Sequence, residues 1–368
     1  MQYRLTEYGE DILGDITAFC EREVLQQARE ADHARVFPRG IYEAVSRMGL
    51  ESLAVPEAYG GPGLTLQEQA AILETVAGFD AGLAVSLLAN SLSWTCAERF
   101  GSETVRETAA GLLSKGPGAF CLTEEQGGSD LRLLRTAAVR CEEGYRIDGS
   151  KRFVTNGGIA GHYTVFAKTE EGLTAFLVPR SLPGITAGPE EDKLGIRNAS
   201  TCEVYFDRVL VPADMVIGEP GNGKAVAAAA LTAGRALCGA AAVGVAQRAL
   251  DEAKAWSEER MQSAGPLSEL PVVRAGLEEM EDRIREAGEK CCRALEYLEQ
   301  GTEAAPAAAA AKCFAADTAV HCAEECLQIF GGNGYCEAFP AEKLLRDALV
   351  FRIIEGSNDV LRQIAERD

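Results

Sequence analysis

The sequence predicts an α+β protein in which a small β domain separates two helical regions. Apolar residues recur at three- and four-residue spacing through 3–113, a pattern typical of amphipathic helices. Short β-prone segments separated by turn residues occupy 119–211. Long Ala-rich stretches with helical periodicity follow Pro212. These observations indicate three successive domains.

The domain boundaries are predicted where the composition changes. Gly, Pro and Gly at 116–118 break the first helical pattern, and Pro212 precedes the last one. We therefore predict an N-terminal α-helical domain over 1–117, a middle antiparallel β domain over 118–212 and a C-terminal helical bundle over 213–368.

Two patterns specify the second and third domains further. Apolar and polar residues alternate in 163–168 and 202–206, which favours half-buried antiparallel strands. The third domain should contain long helices over 225–259, 272–300 and 306–328 joined by short loops. Together with the C-terminal helices, they are typical of an up-and-down four-helix bundle.

Composition limits the possible partners and location. The 368 residues carry 36 Lys and Arg against 56 Asp and Glu, a formal net charge of −20, which disfavours nucleic acid and anionic membranes. The chain opens without a signal-peptide pattern, and no uninterrupted apolar run is long enough to span a bilayer. We expect a cytoplasmic protein with no membrane span.

The 12 cysteines are scattered, with no CxxC pair. Cys322 and Cys326 share a helix face beside His321, but a third and a fourth metal ligand are missing. We interpret the cysteines as buried, reduced thiols, since free Cys behaves as a small hydrophobe, and we predict no metal site.

One carboxylate near the C-terminus is placed at a corner between two predicted helices. Apolar spacing predicts a helix over 341–354, Glu355 and Gly356 end it, and Ser357 can cap a last short helix. Burial beside the preceding isoleucines would raise the pKa of Glu355 toward that of a general base. The alternative is a solvated surface residue, because Glu is seldom buried unpaired.

Two segments of the middle domain have both a structural and a functional interpretation. Residues 120–130, FCLTEEQGGSD, are either a surface turn or a flavin cradle, in which glycines admit backbone N–H groups and the Thr123 and Ser129 hydroxyls hydrogen-bond without charge. Residues 151–158, KRFVTNGG, are explained structurally by a strand that ends in an Asn-Gly turn.

Motifs along the chain resemble those of the acyl-CoA dehydrogenase family. The family's C-terminal signature is matched by QIFGGNGY at 328–335, EKLLRD at 342–347 and FRIIEGSND at 351–359. The segments at 120–130 and 151–158 are similar to its flavin motifs. The resemblance covers most of the chain and implies the fold predicted above.

The resemblance also implies a function. Glu355 would remove the α-proton of an acyl-CoA thioester, the β-hydrogen would leave as hydride to the N5 atom of FAD, and a 2-enoyl-CoA would form. Electrons would pass to an electron-transferring flavoprotein, and the protein would be a homodimer or homotetramer. The residues assigned to the substrate are Ser129, Arg235 and Gly356. Those assigned to FAD, of the same or a second subunit, are Phe120, Leu122, Thr123, Gly128, Ser129, Phe153, Val154, Thr155, Arg260, Gln328, Gly331, Gly332, Ser357 and Asp359.

Two features distinguish the chain within the family. Some members carry their catalytic Glu just before the position of Arg235, but residue 234 is Gly, so Glu355 is the only matching base. Gly234 and Arg235, with FAKT at 166–169, look most like the long-chain and very-long-chain branch without its C-terminal extension. Arg260 is followed by Met-Gln-Ser-Ala without the usual aromatic residue, and Pro271 replaces a usual Gln. These departures concern the adenosine pocket and the subunit contact.

Other functions on the same fold remain open. The chain could be an acyl-CoA oxidase, a desulfinase-like lyase, a dehydrogenase for acyl groups on a carrier protein, or a non-catalytic flavin-binding scaffold. Oxygen reactivity of the reduced flavin separates the oxidase from the others. The presence of Glu355 argues against the scaffold, which needs no base.

Overall fold

A computed structural model describes residues 3–263 and 265–366. The predicted α+β fold, with helices, a sheet and helices in succession, is confirmed. Helices extend to Leu113, strands lie between Gly118 and Ile217, and helices resume at Gly223. One hydrophobic core joins the two helical regions and reaches one face of the sheet, while a second core fills the other face.

The N-terminal region is built from α-helices, with a π-helical turn over Cys20–Val24. Their bounds are α1 Glu7–Phe19, α2 Leu25–Ala34, α3 Arg39–Met48, α4 Leu66–Phe79, α5 Ala81–Phe100 and α6 Glu103–Leu113. Thr65 and Glu68 form a reciprocal capping box at the start of α4, and Asp80 accepts a hydrogen bond from Leu83 N at 2.8 Å at the start of α5. Helix α5 is buried almost throughout because it packs between the sheet and the C-terminal helices.

The middle region is one sheet with the strand order β6-β7-β3-β2-β4-β5-β8, and β1 pairs with β4. The strands are β1 Gly118–Cys121, β2 Ala137–Cys141, β3 Gly144–Thr155, β4 His162–Thr169, β5 Gly172–Pro179, β6 Ile185–Glu190, β7 Thr201–Val211 and β8 Val216–Ile217. The predicted antiparallel β domain is confirmed, since five of the strand pairs are antiparallel; the exceptions are β1 and β2, each of which pairs with β4 in parallel. Apolar alternation reports which face of a strand is buried and carries no information about strand direction.

Burial of the strands also corrects one expectation. Strand β7 alternates between buried and exposed residues as predicted, but the first six residues of β4 are all buried. Val165 lies in the core on one face of the sheet, while Thr164, on the other face, hydrogen-bonds to Ser93 of α5 at 2.8 Å. Strand β4 is covered on both sides because α5 lies across the sheet at this position.

Long helices dominate the C-terminal region. They are α7 Gly223–Glu259, α8 Pro271–Glu299 and α9 Ala305–Phe330, followed by the shorter α10 Ala341–Val350 and α11 Asn358–Ala365. Helix α7 packs against α8 and α9 and also against α4 and α5. Its length and apolar composition would suffice to cross a membrane, but 72% of its most apolar window is buried inside the protein, so it is a core helix. The predicted bounds of the three long helices agree with the structure to within two residues.

A buried ionic network joins the three regions through the EKLLRD motif. Lys343 Nζ lies 3.1 Å from Asp80 Oδ2 and 2.6 Å from Asp347 Oδ2. Asn198 of the middle region donates to Asp80 at 2.8 Å, and Ile196 N donates to Asp347 at 2.6 Å. The network anchors α10, and hence the turn that follows it, against both other regions.

Candidate active site

Glu355 lies in a strained turn between α10 and α11. Helix α10 ends at Val350, earlier than the predicted limit of residue 354, because the backbone tightens and Ile353 N donates to Val350 O at 2.8 Å. Glu355 has φ +55° and Gly356 has φ +100°. A positive φ is uncommon for a residue with a side chain and is often found at functional sites, where surrounding contacts maintain it.

The Glu355 side chain has an oxygen shielded from solvent and a raised pKa. Its Oε2 atom is closed off from solvent and has no hydrogen-bond partner in 3–263 and 265–366. Burial raises the pKa of Glu355 to about 7, against the opposing charges of Lys312 and Arg235. The predicted pKa shift is thus present, and the alternative of a solvated surface carboxylate is not supported.

Gly234 makes room for this carboxylate. A Cβ atom at position 234 would lie 2.5 Å from Leu92 Cδ2 and 3.1 Å from Glu355 Oε2. The position that carries the base in some family members therefore faces the same space as Glu355. A carboxylate fits here from one of the two positions, and Gly at 234 leaves that space to Glu355.

Arg235 and Gly356, both assigned to the substrate, meet at this turn. Arg235 Nε donates to Glu355 O at 3.2 Å, and Gly356 follows directly in the chain. Ser129, the third residue assigned to the substrate, is exposed on the Gly-rich loop, as is Gly128.

Residues assigned to the flavin ring lie on neighbouring strands. Arg152 N donates to Thr123 O at 2.8 Å, which ties the end of the β1 segment to β3. Beneath this contact, Lys151 Nζ lies 2.6 Å from Glu124 Oε1 and donates to Leu122 O at 3.2 Å. Burial lowers the pKa of Lys151, whereas for Glu124 burial is outweighed by the Lys151 ammonium together with the hydrogen bonds from Thr136 and Arg135, so that the pKa of Glu124 is lowered. The pair fixes the backbone on either side of Thr123.

Phe153 projects outward at an irregularity in β3. The pairing of β3 with β7 shifts register between Lys151 and Val154, and Phe153 has φ +54° and is 58% exposed. The Arg152 guanidinium carbon lies 4.9 Å from its ring centroid. Val154 is buried and Thr155 is half-buried, so the irregularity turns one large aromatic ring out of the sheet. An exposed aromatic face in a strained backbone suits a flat ligand.

Three further residues assigned to the flavin are Phe120 on β1, and Ser357 and Asp359 at the start of α11. Phe120 is half-buried on β1, with its ring centroid 5.1 Å from that of Phe166. Ser357 is the N-cap residue of α11 but makes no capping hydrogen bond with its side chain. Asp359 is exposed and pairs with Arg362 at 3.1 Å.

A second group of residues assigned to FAD lies at the C-terminal end of α7, away from the turn that carries Glu355. Arg260 is the C-cap of α7 and lines a cavity of about 570 Å³ with Gln328, Gly331 and Gly332. Arg235 and Arg260 are about 37 Å apart along the helix axis at 1.5 Å per residue. The structure therefore divides the residues assigned to FAD between two places. Pro271 lies at this end as the first residue of α8, a position where the missing N–H costs nothing. Ala264 lies outside the described residues.

Sequence reasoning missed four buried polar residues that shape the site: Glu124, Lys151, Lys312 and Asn358. One signal was available, since Lys312 interrupts an Ala-rich apolar stretch of the predicted bundle. No cluster that could hold a metal occurs in 3–263 and 265–366. Of the cysteines, Cys141 and Cys336 are exposed and Cys292 is half-buried, while the others are buried.

Family models cover all three regions of the chain. The N-terminal domain of acyl-CoA dehydrogenase matches residues 6–117, the middle domain matches 119–209 and the C-terminal domain matches 221–368. The chain belongs to the acyl-CoA dehydrogenase family, and it is an enzyme of that class. The resemblance found in the motifs is thus confirmed.

Individual relatives agree over nearly the whole length. The probable acyl-CoA dehydrogenase FadE25 of Mycobacterium tuberculosis (strain ATCC 25618 / H37Rv) is 34% identical over 373 residues, which cover 99% of this chain and 96% of the relative. The structure of butyryl-CoA dehydrogenase from Megasphaera elsdenii is 34% identical with a TM-score of 0.95 and covers 99% of this chain and 98% of its own. The FAD complex of PigA is 25% identical with a TM-score of 0.91 and covers 99% and 98%.

Proposed function

We propose that the protein catalyses FAD-dependent α,β-dehydrogenation of an acyl-CoA thioester to a 2-enoyl-CoA, with Glu355 as the base. The observation that carries this proposal is the buried Glu355 Oε2 atom, which lacks a partner in the described residues, on a carboxyl with a pKa of about 7. A base with a pKa near the operating pH is suited to proton abstraction.

The residues of the turn have complementary roles in this reaction. The α-proton of a thioester is a weak acid, so the thioester oxygen needs hydrogen bonds that strengthen as enolate charge develops. We assign one of these bonds to the Glu355 backbone N–H, following the family resemblance. Arg235, which binds the Glu355 carbonyl, and Gly356 hold this segment beside the substrate. Ser129 approaches the acyl-CoA from the Gly-rich loop.

FAD is the cofactor, and when bound it accepts the β-hydrogen as a hydride at N5. Phe153 would cover one face of the flavin ring, and Thr123 and Thr155 would offer hydroxyls to it. The residues assigned to FAD lie in two separate groups, which supports a homo-oligomer. In it, the adenosine side of a second subunit's FAD would be held by Arg260, Gln328, Gly331 and Gly332. The other residues assigned to FAD of the same subunit are Phe120, Leu122, Gly128, Ser129, Val154, Ser357 and Asp359.

An electron-transferring flavoprotein would serve as the electron acceptor, as the family resemblance implies. A cytoplasmic location is supported by the cysteines, all of which are free thiols, because such thiols persist in a reducing compartment. Fatty acid β-oxidation is the metabolic setting that fits this reaction.

An anaerobic absorbance titration tests the proposal. Purified flavoprotein is titrated with straight-chain, branched and aryl-propionyl acyl-CoAs beside the Glu355→Gln variant. We expect one group of thioesters to bleach the wild-type flavin, and the bleaching rate to fall about 10³-fold in Glu355→Gln, because the amide cannot accept the proton. Equal bleaching of both proteins would contradict the role of Glu355.

Two further outcomes identify the alternatives. Bleaching followed by rapid reoxidation in air would identify an oxidase. A flavin that stays oxidised with every thioester would contradict the proposed reaction and favour a carrier-bound substrate or a scaffold. Unchanged partner binding in Glu355→Gln would then support the scaffold.

A further inference from the structure

A buried lysine contacts the turn that carries Glu355, next to the carbonyl bound by Arg235. Lys312 of α9 is fully buried, and its Nζ atom donates to Gly356 O at 2.8 Å and to Asn358 Oδ1 at 2.9 Å. Arg235 of α7 donates to Glu355 O at 3.2 Å. Two consecutive carbonyl groups of the turn are therefore bound by cationic side chains from two different helices.

We propose that Lys312 is a positioning residue that clamps this turn, together with Arg235, and so fixes the backbone that carries the Glu355 carboxylate. This inference rests on the proposed role of Glu355 as the base. Binding of the carbonyls of Glu355 and Gly356 fixes the planes of the two peptide groups after Glu355. Such a constraint is needed because Glu355 has a positive φ, which free backbone seldom adopts.

The partners of Lys312 distinguish it from an ordinary structural lysine. A buried ammonium normally pairs with a carboxylate, whereas the hydrogen-bond acceptors of the Lys312 ammonium within 3–263 and 265–366 are a backbone carbonyl and a side-chain amide. Its hydrogen-bond acceptors are neutral oxygens, so its charge is left to act on Glu355. Arg235 pairs its guanidinium with the Glu355 carbonyl in the same way. The clamp thus orients the base and supplies positive charge beside it.

Every ionisable group that faces the pair must be included in a pH experiment. On α7 these are Arg235 and Cys238, and on α9 they are Lys312 and Cys313. Burial raises the pKa of the Cys238 thiol to about 12 and also raises that of Cys313, so both are neutral around pH 7. The positive charges of Lys312 and Arg235 both lower the pKa of Glu355.

The test compares Lys312→Met, Lys312→Gln and Lys115→Met with wild type. Met removes both the charge and the donor, Gln keeps an N–H donor without the charge, and Lys115 is an exposed lysine after α6 that provides the same change in net charge. The carboxyl band that disappears in Glu355→Gln is followed against pH by difference infrared spectroscopy. This measurement needs neither substrate nor turnover.

We expect the Glu355 midpoint to rise by about one pH unit in both Lys312 variants, because each lacks the ammonium that favours the carboxylate. In turnover with a thioester that reduces the wild type, kcat should fall about 10-fold or more in Lys312→Met and less in Lys312→Gln, with KM within about threefold. Lys115→Met should match wild type in both measurements.

Two results separate this inference from the proposed function. Lys312 variants that titrate at the wild-type midpoint and keep the wild-type kcat would overturn the clamp, whatever the reaction is. If no thioester reduces the wild type but the midpoint still shifts in the Lys312 variants, the proposed reaction fails while Lys312 still controls Glu355. Should Lys312→Met not fold, Lys312→Gln supplies the same midpoint measurement.

Discussion

Each side of the candidate active site, the proposed flavin side and the proposed base side, contains a buried lysine, and the two lysines are bound differently. On the flavin side, Lys151 forms a salt bridge with Glu124 at 2.6 Å. On the base side, Lys312 donates to neutral oxygens of Gly356 and Asn358. The flavin side is therefore neutral in itself and serves to hold backbone in place. The base side leaves its positive charge to act on Glu355, which suits a group that must gain and lose a proton.

The largest effect is expected from a substitution that breaks the pair of Lys151 and Glu124. Lys151→Met leaves the Glu124 carboxylate buried without its ammonium, so the free energy of unfolding should fall by about 3–5 kcal/mol. Urea denaturation of the flavoprotein measures this loss. Lys312→Met is the matched comparison, and its loss should be about 1–3 kcal/mol, because neutral acceptors are left unpaired instead of a charge.

A double variant checks the cause of that loss. Lys151→Met with Glu124→Gln removes both charges, so it should recover part of the stability lost in Lys151→Met alone. Equal losses in Lys151→Met and Lys312→Met would show that the two sides do not differ in the way proposed here.

The next effect concerns the base itself and depends on pH. The folded-state pKa of Glu355, about 7, lies above its ordinary value of 4.5, so the folded state holds this proton more tightly than the unfolded state. The resulting stability is fully present below about pH 4.5 and is lost as the pH rises through 7. Glu355→Gln lacks this ionisation, so it should be about 3 kcal/mol more stable than wild type at pH 8 and only about 1 kcal/mol more stable at pH 5.

Urea denaturation at both pH values measures this difference, with the exposed Glu107→Gln as a control for the loss of one negative charge. A Glu355→Gln variant that is no more stable than wild type at pH 8 would mean that burial does not strain the ionised carboxylate. Glu355→Gln should thus gain stability and lose activity, as is expected when a base is held in an environment that disfavours its ionised form.

The sequence predicted the succession of regions and the long helices well. The spacing of apolar residues placed α7, α8 and α9 because each helix buries a continuous stripe along its length. The end of α10 was missed, because the tight turn after Val350 keeps the same apolar residues as a helix would. The strand β1 and its parallel pairing with β4 were not predicted, since this pairing is decided by contacts distant in sequence.

Site residues could be predicted where they belong to a recognisable sequence motif. They could not be predicted where their role depends on buried contacts between distant parts of the chain. Glu355 was found from its motif and its position at a helix end. Lys151 and Glu124 are 27 positions apart in the chain, and nothing local in the sequence indicates that they meet. Lys312 could have been singled out as a charge within an apolar stretch, but its acceptors at Gly356 and Asn358 come from a turn 44 and 46 positions away.

The smallest effect is expected from substitution of Phe153, the residue with a positive φ on the proposed flavin side. Phe153 has φ +54° and an exposed ring, so Phe153→Gly relieves backbone strain of about 1 kcal/mol while adding the entropy cost of Gly. The free energy of unfolding of the flavin-free protein should therefore change by less than about 1 kcal/mol. FAD binding should weaken about 10-fold, since the ring no longer covers the flavin.

Arg208→Gly is the matched control for this substitution, because Arg208 has φ +50° at an exposed position of β7 that has no assigned role in FAD binding. It should leave both stability and FAD affinity close to wild type in fluorescence titrations. A loss above about 2 kcal/mol in Phe153→Gly would show that the ring packs into the protein, and unchanged FAD affinity would remove Phe153 from the flavin face. If the prediction holds, the positive φ of Phe153 positions a ring for the ligand, whereas the positive φ of Glu355 positions a carboxylate for the proton.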